Sequence, residues 1–265
     1  MAAYQKHNNS AVFGLLRHNN RETKNPSNID IDSMRKKLNY SLAPPDRSNT
    51  LASKEYYDKR LSEVYRYRRD TLITCDEWII TAPQDLPKDQ EAVFFKCCYE
   101  FLNHTYDEKN CIHCTVHHDE GIKNDQGTIL YGRPHMHYMY IPIVPYTGTK
   151  AYTEKVCNKE LMTKEHLSKF HPELQDFLIK SGIHCNINSG ITNGRNRSVD
   201  DLKAKTLRSM IFERDRNIEA LRIENHELKN EVERLNEKMH QLEVTRTISP
   251  RRRFGEIEQE EEIEY

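Results

Sequence analysis

The segment Thr115 to Pro145, TVHHDEGIKNDQGTILYGRPHMHYMYIPIVP, contains four histidines and two adjacent acids. His135 and His137 are two residues apart, so both side chains point to the same face of a β-strand. On a partner strand His117 can lie beside them, while His118 points to the other face. Three neutral imidazoles that converge form a divalent-metal site with positions left open for a substrate oxygen. The alternative is a pair of surface histidines, which an HxH spacing often represents.

Two acids follow the first histidine pair directly. Glu120, just beyond the strand end, is placed to orient a ligand histidine, to accept a proton or to reach a metal through water. Asp119 is expected to face away from the site if the strand continues that far.

A second group of reactive side chains is RHNNR, Arg17 to Arg21, which follows the apolar run AVFGLL at residues 11–16. The apolar run predicts a first strand, with RHNNR at its edge. If that strand lies next to the histidine hairpin, His18 faces the metal across a gap that can hold a phosphate. Arg21 can then clamp the phosphate oxygens, an arrangement suited to phosphoryl transfer. The alternative for His18 is a helix cap or a contact with the DNA backbone.

The elements that must position these side chains alternate between strands and helices. Strands are predicted over AVFGLL, LITCDEWIIT, CIHCTVHH, HMHYMYIPIVP and HCNINSG. Helices are predicted over KDQEAVFFKCCYEFLNHTY and TKEHLSKFHPELQDFLIKSG, the latter ending at Gly182, with a basic irregular or helical stretch at about residues 34–69. This order predicts an α+β fold with a largely antiparallel sheet and helices on one face.

A heptad repeat follows in residues 198–246. Its a positions are Ile211, Ile218, Asn225, Val232 and Met239, and its d positions are Arg214, Leu221, Leu228, Leu235 and Leu242. Leucine at d with mostly β-branched residues at a is typical of a parallel two-stranded coiled coil, in which Asn225 fixes register and dimer state. The alternative is one amphipathic helix packed back on the domain at residues 1–197. Residues 247–265 are expected to form a disordered charged tail.

Charge and cysteine content limit the class of protein. The net charge is −1, but the last eleven residues carry six glutamates and no base, so the rest of the chain has a charge of +5. A mildly basic body is compatible with a polyanionic partner. The seven cysteines are odd in number and form no framework. With no signal peptide and no apolar run of about 18 residues, they predict a cytoplasmic protein without a transmembrane segment.

Several motifs in order, RHNNR, SNIDIDSMRKKLNYSL, CDEWIIT, VHHDE and PHMHYMYIPIVP, resemble the MobV family. These plasmid mobilisation relaxases, also called Pre or plasmid recombination enzymes, belong to the histidine-hydrophobic-histidine (HUH) endonucleases. The resemblance covers roughly residues 10–195. It implies a metal-assisted nick of one strand at a plasmid transfer origin. It further implies that His18 is the nucleophile, leaving a phosphoramidate link to the 5′ phosphate and a free 3′ hydroxyl.

The resemblance also implies roles for single residues. His117, His135 and His137 match the metal ligands, Glu120 the family's acid and Arg21 its arginine. Manganese or magnesium is the implied ion, although an all-imidazole site also accepts zinc, cobalt or nickel. The implied partners are plasmid DNA and the conjugative coupling machinery, alongside a homodimer through the coiled coil.

One departure from the family pattern is the segment GIKNDQGTILYGR, residues 121–133, which separates two motifs that are otherwise nearly adjacent. A lengthened hairpin accommodates it, with TILYGR as the returning strand. The position of Glu120 is the one most affected.

Basic residues and one aromatic side chain are candidates for DNA contacts, and the alternative for each basic stretch is an ordinary solvated face. The candidates are Tyr40, Arg35, Lys37 and Arg47, together with the stretch Arg66 to Arg69. Tyr40 in LNYSL is also the rival nucleophile; its other role is to pack or to stack on a base.

Three other functions remain open. A rolling-circle replication initiator of the same superfamily would use a tyrosine. A non-enzymatic leucine-zipper DNA-binding protein would use basic residues before the heptads, although Glu213 and Asp215 interrupt them. A phosphodiesterase acting on small molecules would need no specific DNA.

Overall fold

A computed structural model describes residues 2–23, 30–123, 129–187 and 199–248. The chain separates into two compact units, residues 1–191 and residues 192–265. None of the described helices is long and apolar enough to cross a lipid bilayer.

Nine strands are described in the first unit. They are β1 (Ala2–Asn8), β2 (Tyr40–Ser41), β3 (Ile73–Thr81), β4 (Cys111–His117), β5 (Gly121–Lys123), β6 (Ile129–Tyr131), β7 (His135–Tyr140), β8 (Ile143–Pro145) and β9 (Glu154–Val156). Five of them form one antiparallel sheet in the order β1-β3-β7-β4-β2. The strands β5 and β6 form a separate hairpin, as do β8 and β9.

The described helices are α1 (Asn9–Asn19), α2 (Thr50–Ser62), α3 (Glu91–Tyr106), α4 (Asn158–Leu161), α5 (Lys164–Lys180) and α6 (Val199–Ile248). The α+β class and the antiparallel sheet predicted from the sequence are confirmed. The helices pack on both faces of the sheet, however, and not on one face. Alternate strand residues such as Trp78 and Tyr138 pack with α3 and α5, whereas Cys75 and Met139 pack with α1 and α2.

The predicted first strand over AVFGLL is wrong, because these residues lie in α1 and the first strand precedes them. Val12 and Leu16, four residues apart, are fully buried, whereas Phe13 between them is exposed. A spacing of four marks one face of a helix, and an apolar run of six cannot distinguish the two structures by itself. RHNNR therefore lies at the end of a helix and not at the edge of a strand.

The predicted final strand HCNINSG is also absent from the part that the structure describes, residues 184–187. In this segment the side chain of Gln175 makes the backbone hydrogen bonds that a neighbouring strand would make. Gln175 donates from its amide nitrogen to the carbonyl of Cys185 at 2.8 Å and accepts from the backbone N–H of Ile187 at 3.1 Å. The backbone is thus hydrogen-bonded without joining a sheet.

The lengthened hairpin has the predicted returning strand. Ile129–Tyr131 pairs with Gly121–Lys123, and the backbone N–H of Gly132 donates to the carbonyl of Glu120 at 2.9 Å. The tip at residues 124–128 lies outside the described residues.

The second unit contains the long helix α6, as the heptad repeat predicts. The apolar a and d side chains between Ile211 and Leu242 are all exposed, Leu242 at 69%. Their pairing with a second helix stays a prediction. The tail from residue 249 onward lies outside the described residues.

Candidate metal centre and nucleophile

Two neighbouring strands at the centre of the sheet bring the three predicted histidines together. In the β4–β7 register His117 lies opposite His135, and Thr115 lies opposite His137. The ring centroid of His117 lies 5.4 Å from that of His135 and 4.8 Å from that of His137. The centroids of His135 and His137 are 5.1 Å apart. One nitrogen from each ring lies within 4.8 Å of the others.

His117 is held by the end of helix α1. Its Nε2 donates to the main-chain carbonyl of Asn19 at 2.7 Å, so the lone pair of this imidazole is on Nδ1. That Nδ1 is buried and has no hydrogen-bond partner among the described residues. Burial and the neighbouring His137 hold the pKa of His117 well below its ordinary value. An orphaned buried lone pair on a neutral imidazole is what a metal ligand requires.

His137 is held by Glu77, a residue that the sequence did not single out. The Oε1 atom of Glu77 lies 2.7 Å from Nδ1 of His137, and its Oε2 lies 3.1 Å from Nε2 of His7. The amide of Asn19 donates to the same carboxylate at 3.2 Å. Burial acts to raise the pKa of Glu77, but the hydrogen bonds from His137 and His7 hold it below its ordinary value. An ionised carboxylate on the far nitrogen of a histidine orients the ring toward a metal.

His135 and Glu120 complete this group. Nε2 of His135 is 3.8 Å from Oε1 of Glu120. Burial and the neighbouring His137 lower the pKa of His135 to about 4. Burial acts to raise the pKa of Glu120, but His135 and Arg21 hold it below its ordinary value. The long hairpin has therefore not moved this acid away from the histidines.

The three imidazoles fit a divalent metal ion. The lowered pKa values of His117 and His135 keep these two imidazoles neutral near pH 7. A carbonyl orients His117 and a carboxylate orients His137, and Nδ1 of His117 has no partner in the described part of the chain. Imidazole nitrogens suit zinc, copper, iron and nickel, whereas carboxylate oxygens suit magnesium and manganese. Glu120 and Asp119 also have an oxygen near His117.

Helix α1 ends in a Schellman motif at RHNNR. The backbone N–H of Arg21 donates to the carbonyl of His18 at 3.0 Å, and that of Glu22 donates to Arg17 at 2.9 Å. Arg21 occupies the left-handed position of this motif with φ 56°, where glycine is usual. A non-glycine residue there costs about 1 kcal/mol or more. The bend directs the Arg21 side chain back toward the acids that follow β4.

Arg21 is held by two carboxylates. Its Nε and Nη2 donate to the two oxygens of Asp119 at 2.9 and 2.8 Å, and Nη2 also donates to Glu120 at 2.7 Å. Asp119 is fully buried with a carboxylate oxygen near His117, whereas it was expected to face away only if the strand continued that far. The strand ends at His117, and strand parity does not extend to Asp119. Most of the guanidinium donors thus bind groups inside the protein. The sequence, in contrast, predicted that Arg21 uses these donors to clamp phosphate oxygens.

His18 is half-buried beside Arg21. Nη1 of Arg21 lies 3.3 Å from Nε2 of His18, and because a guanidinium only donates, this nitrogen carries a lone pair. Burial and the charge of Arg21 lower the pKa of His18, and His137 lowers it further. His18 is therefore a neutral imidazole, unprotonated at Nε2, one residue from the Asn19 that binds the histidine cluster.

Tyr40, the rival nucleophile, lies on the opposite face of the sheet. It pairs with Val116, and its ring packs with the core that includes α3. As parity predicts, His118 is on this face too, 5.9 Å from the Tyr40 ring and 3.5 Å from Glu91. Burial raises the pKa of Tyr40 to about 12, and its hydroxyl has no hydrogen-bond partner among the described residues.

The predicted DNA-binding bases differ in their surroundings. Arg47 is buried and donates to the carbonyls of Cys111 and Glu108 at 2.7 and 3.1 Å, which argues against the predicted DNA contact. Arg35 lies 3.8 Å above the ring of Tyr131 and donates to the carbonyl of His118 at 3.0 Å, so it fastens the β5–β6 hairpin. Lys37 is exposed.

Comparison with known proteins decides the family. Residues 1–204 match the Mob/Pre family, described as plasmid recombination enzyme. The chain belongs to the plasmid recombination enzyme family. The resemblance predicted from the motifs is thereby confirmed.

Individual relatives match about three quarters of this chain. A plasmid recombination enzyme from Streptococcus agalactiae is 27% identical over 209 residues, which is 77% of this chain and 38% of the relative. One from Lactiplantibacillus plantarum is 28% identical over 197 residues, 73% of this chain and 50% of the relative. This member of the plasmid recombination enzyme family thus spans at most half the length of these two curated relatives.

A solved structure supports the same assignment. The MobM relaxase domain, bound to plasmid pMV158 oriT DNA in a manganese-bound crystal structure at pH 6.8, is 26% identical with a TM-score of 0.60. The match covers 77% of this chain and 97% of that domain.

Proposed function

We propose that this plasmid recombination enzyme nicks one DNA strand at a transfer origin and stays attached to the 5′ phosphate through His18. The observation that carries the proposal is the junction between the end of α1 and the histidine cluster, where Asn19 binds both His117 and Glu77. The MobM relaxase domain, bound to oriT DNA and manganese, has the same fold. DNA and a divalent metal, manganese or magnesium, are accordingly the proposed ligands.

The proposed reaction is a transesterification at the scissile phosphate. The lone pair on Nε2 of His18 attacks phosphorus, the P–N bond forms and the bond from phosphorus to the 3′ oxygen breaks. The imidazole gives up its Nδ1 proton, and the leaving 3′ oxygen takes up one proton. The products are a phosphoramidate on His18 and a free 3′ hydroxyl, which can reverse the step and rejoin the strand. The lowered pKa of His18 keeps the attacking nitrogen unprotonated at neutral pH.

His117, His135 and His137 are the proposed metal ligands. When bound there, manganese or magnesium supplies Lewis-acid stabilisation of the charge on the phosphate oxygens. Glu77 keeps the His137 ring oriented, and the Asn19 carbonyl does the same for His117.

Arg21 acts as a positioning residue in this proposal. Asp119 and Glu120 hold the guanidinium, whose Nη1 in turn holds Nε2 of His18. The attacking nitrogen must leave this hydrogen bond when it turns to phosphorus. A fixed starting orientation of the nucleophile lowers the entropic part of the barrier.

A replication initiator with a tyrosine nucleophile is the nearest alternative. Tyr40, which sits in the matching motif, lies on the face of the sheet away from the three histidines. This position disfavours a tyrosine mechanism through Tyr40. A purely zipper-based DNA-binding protein leaves the histidine cluster and its oriented ligands without a role.

We further propose that α6 forms a parallel homodimer. In the heptad register two opposite-charge pairs link g of one helix to e of the other, Glu224 with Lys229 and Lys238 with Glu243. Asn225 meets its counterpart only in the parallel arrangement. The corresponding division is residues 1–197 for nicking, 198–246 for dimerisation and 247–265 as a tail. Contact with the coupling machinery stays a prediction of the resemblance.

Covalent trapping tests the nicking proposal. Single-stranded oligonucleotides tiled across the DNA that flanks the gene are incubated with the full chain and MnCl₂, and adducts are separated on a denaturing gel. We expect one oligonucleotide to give an adduct that His18→Ala abolishes and Tyr40→Phe retains. No adduct on any tile, with or without manganese, would sink the proposal.

A further inference from the structure

Four tyrosines form a surface cluster away from the histidines. The ring of Tyr65 stacks on Tyr146 with centroids 4.6 Å apart and an interplanar angle of 14°. Tyr67 meets Tyr65 edge-on at 5.3 Å, and Tyr152 lies 6.1 Å from Tyr65. Tyr67 is 47% exposed. We call these four residues the tyrosine cluster.

Backbone hydrogen bonds hold the tyrosine cluster in place. Tyr65 donates its N–H to the carbonyl of Glu154 and accepts from the N–H of Val156, both at 2.9 Å. The loop between α2 and β3, which contains Tyr65, thus extends the β8–β9 hairpin. Tyr146 donates its N–H to the carbonyl of Thr153 at 2.7 Å, which closes the loop of that hairpin. A Cβ at Gly148 would collide with the Tyr146 ring, so glycine permits the ring to fold over the loop. The rings are thus presented on a fixed backbone.

Basic residues flank the tyrosines along the chain, and two of them approach the rings in space. Arg66, Arg68 and Lys150 are exposed, and the Arg69 guanidinium lies 5.9 Å from the centre of the Tyr67 ring. Lys155 lies 5.5 Å from the centre of the Tyr146 ring.

The acids next to the cluster already have basic partners. Glu154 pairs with Arg60 at 2.6 Å and with Lys109 at 2.9 Å, and Glu160 pairs with Lys155 at 2.7 Å. The charge that faces solvent around the rings is therefore mainly positive, with Asp70 as a nearby exposed acid.

The tyrosine cluster lies at the other end of the sheet from the histidines. Strand β7 begins at His135 in the metal cluster and ends at Tyr140, and the β8–β9 hairpin follows it. Six residues of strand span roughly 17 Å at about 3.3 Å per residue. With about 3.4 Å between base pairs along DNA, the two places are separated by about five nucleotides or more.

We propose that the tyrosine cluster and its bases form a second nucleic-acid contact, separate from the nicking site. Aromatic rings stack on bases of any sequence, and arginines beside them bind the phosphates. Tyr67 is the stacking residue, because its ring is the exposed one, and Arg66 and Arg68 contact phosphates. Identifying the bound polyanion as DNA rests on the proposed function. The existence of this basic, aromatic surface does not depend on it.

The test compares a short and a long oligonucleotide that both contain the nick site. The short one has about six to eight nucleotides with the nick site at its centre, so neither end extends the roughly five nucleotides to the tyrosine cluster, whereas the long one has about 30 and extends at both ends; these lengths follow from about 3.4 Å per nucleotide. Binding is measured by fluorescence anisotropy on the full chain at several salt concentrations. The variants are Tyr67→Ala and the double change Arg66→Ser with Arg68→Ser. The matched control removes two exposed bases elsewhere, Lys96→Ser with Lys180→Ser.

We expect the double variant to bind the long oligonucleotide about tenfold or more weakly, with a salt slope about 1.4 smaller, as the loss of two phosphate contacts predicts. Tyr67→Ala should weaken binding about fivefold or more without changing the slope, because stacking carries no charge. Binding of the short oligonucleotide, and adduct formation on it, should not change.

Other outcomes overturn the inference. Equal loss on both oligonucleotides, loss in the control variant, or no loss on the long one would each contradict it. If the wild-type chain forms no adduct but the variants still lose affinity for long DNA, the nicking proposal fails and the second contact stands.

Discussion

The main-chain carbonyl of Asn19 lies 2.7 Å from Nε2 of His117 and accepts a hydrogen bond from its N–H. This bond joins the end of helix α1 to β4, the neighbour of the central strand of the sheet. It sets the tautomer of one histidine in the cluster, and it holds the neighbouring His18 beside that cluster. The positions of the proposed nucleophile and of the proposed metal therefore depend on one another.

Glu77 offers a direct test of the metal site. In Glu77→Gln the ring of His137 loses its ionised partner, and we expect the affinity for Mn²⁺ to fall about 10- to 100-fold. Isothermal titration on the full chain measures this. The control is Glu91→Gln, since Glu91 approaches His118 on the other face of the sheet and should leave the affinity unchanged. An unaltered affinity in Glu77→Gln would argue that His137 is not a ligand.

The pH dependence of nicking tests the state of His18. Attack requires the unprotonated imidazole, and burial together with Arg21 lowers the pKa of His18. As pH falls, the rate of adduct formation should therefore stay constant past the ordinary histidine pKa of about 6.5 and decline only at a lower pH. Arg21→Gln removes the positive charge and should move the decline to higher pH. Single-turnover rates at saturating Mn²⁺ measure both profiles.

Arg17→Gln is the matched control for this profile, because Arg17 is an exposed base at the same helix end. Its profile should overlay that of the wild type. A decline near pH 6.5 in the wild type, or an Arg21→Gln profile with an unmoved decline, contradicts the account. Because Arg21→Gln leaves the buried Asp119 without its charged partner, stability should drop by about 3 kcal/mol or more. Assays should therefore be run well below the melting temperature of the variant.

Asp76 links stability to pH on the other face of the sheet. Burial raises the pKa of this carboxyl to about 6, only partly offset by a hydrogen bond from Asn158. Between about pH 4 and 6 the folded chain therefore holds a proton that the unfolded chain has lost, so stability falls as pH rises through this window. The loss is about 3 kcal/mol at most, from a shift of about two pKa units.

Asp76→Asn removes this titration. Urea denaturation from pH 4.5 to 7 should show a flatter stability profile in the variant than in the wild type. Parallel profiles would mean that Asp76 does not hold its proton in the folded chain.

The long helix α6 can be tested by truncation. A chain that ends at residue 197 should sediment as a monomer and should still form the adduct, because the proposed nicking residues all lie before that point. The full chain should sediment as a dimer. A shortened chain that remains a dimer would refute the proposed role of the heptads.

The histidine cluster was the most predictable part of the site, because strand parity is a local rule. The two residues of an HxH pair share a face wherever their strand lies, and one register brings His117 opposite His135. By contrast, AVFGLL is compatible with a strand or a helix, and only the packing of Val12 and Leu16 on the sheet selects the helix. The consequence is large, since it places His18 on a helix end.

Other site residues depend on neighbours distant in the chain. Glu77 could have been suspected as an acid in an otherwise apolar strand, on the same face as Cys75, but its partners His7 and His137 come from two other strands. Asp119 lies past the strand end, where parity no longer applies. The face occupied by Tyr40 follows from the pairing of β2 with β4, which no local pattern specifies.

Mass spectrometry of the trapped adduct tests the central claim most directly. The adduct formed with manganese is digested with nuclease and protease, and the modified peptide is sequenced by fragmentation under conditions that preserve the acid-labile P–N bond. The account predicts a nucleotide on the peptide that contains RHNNR, attached to His18. A nucleotide attached to Tyr40, or to any other tyrosine, would contradict it.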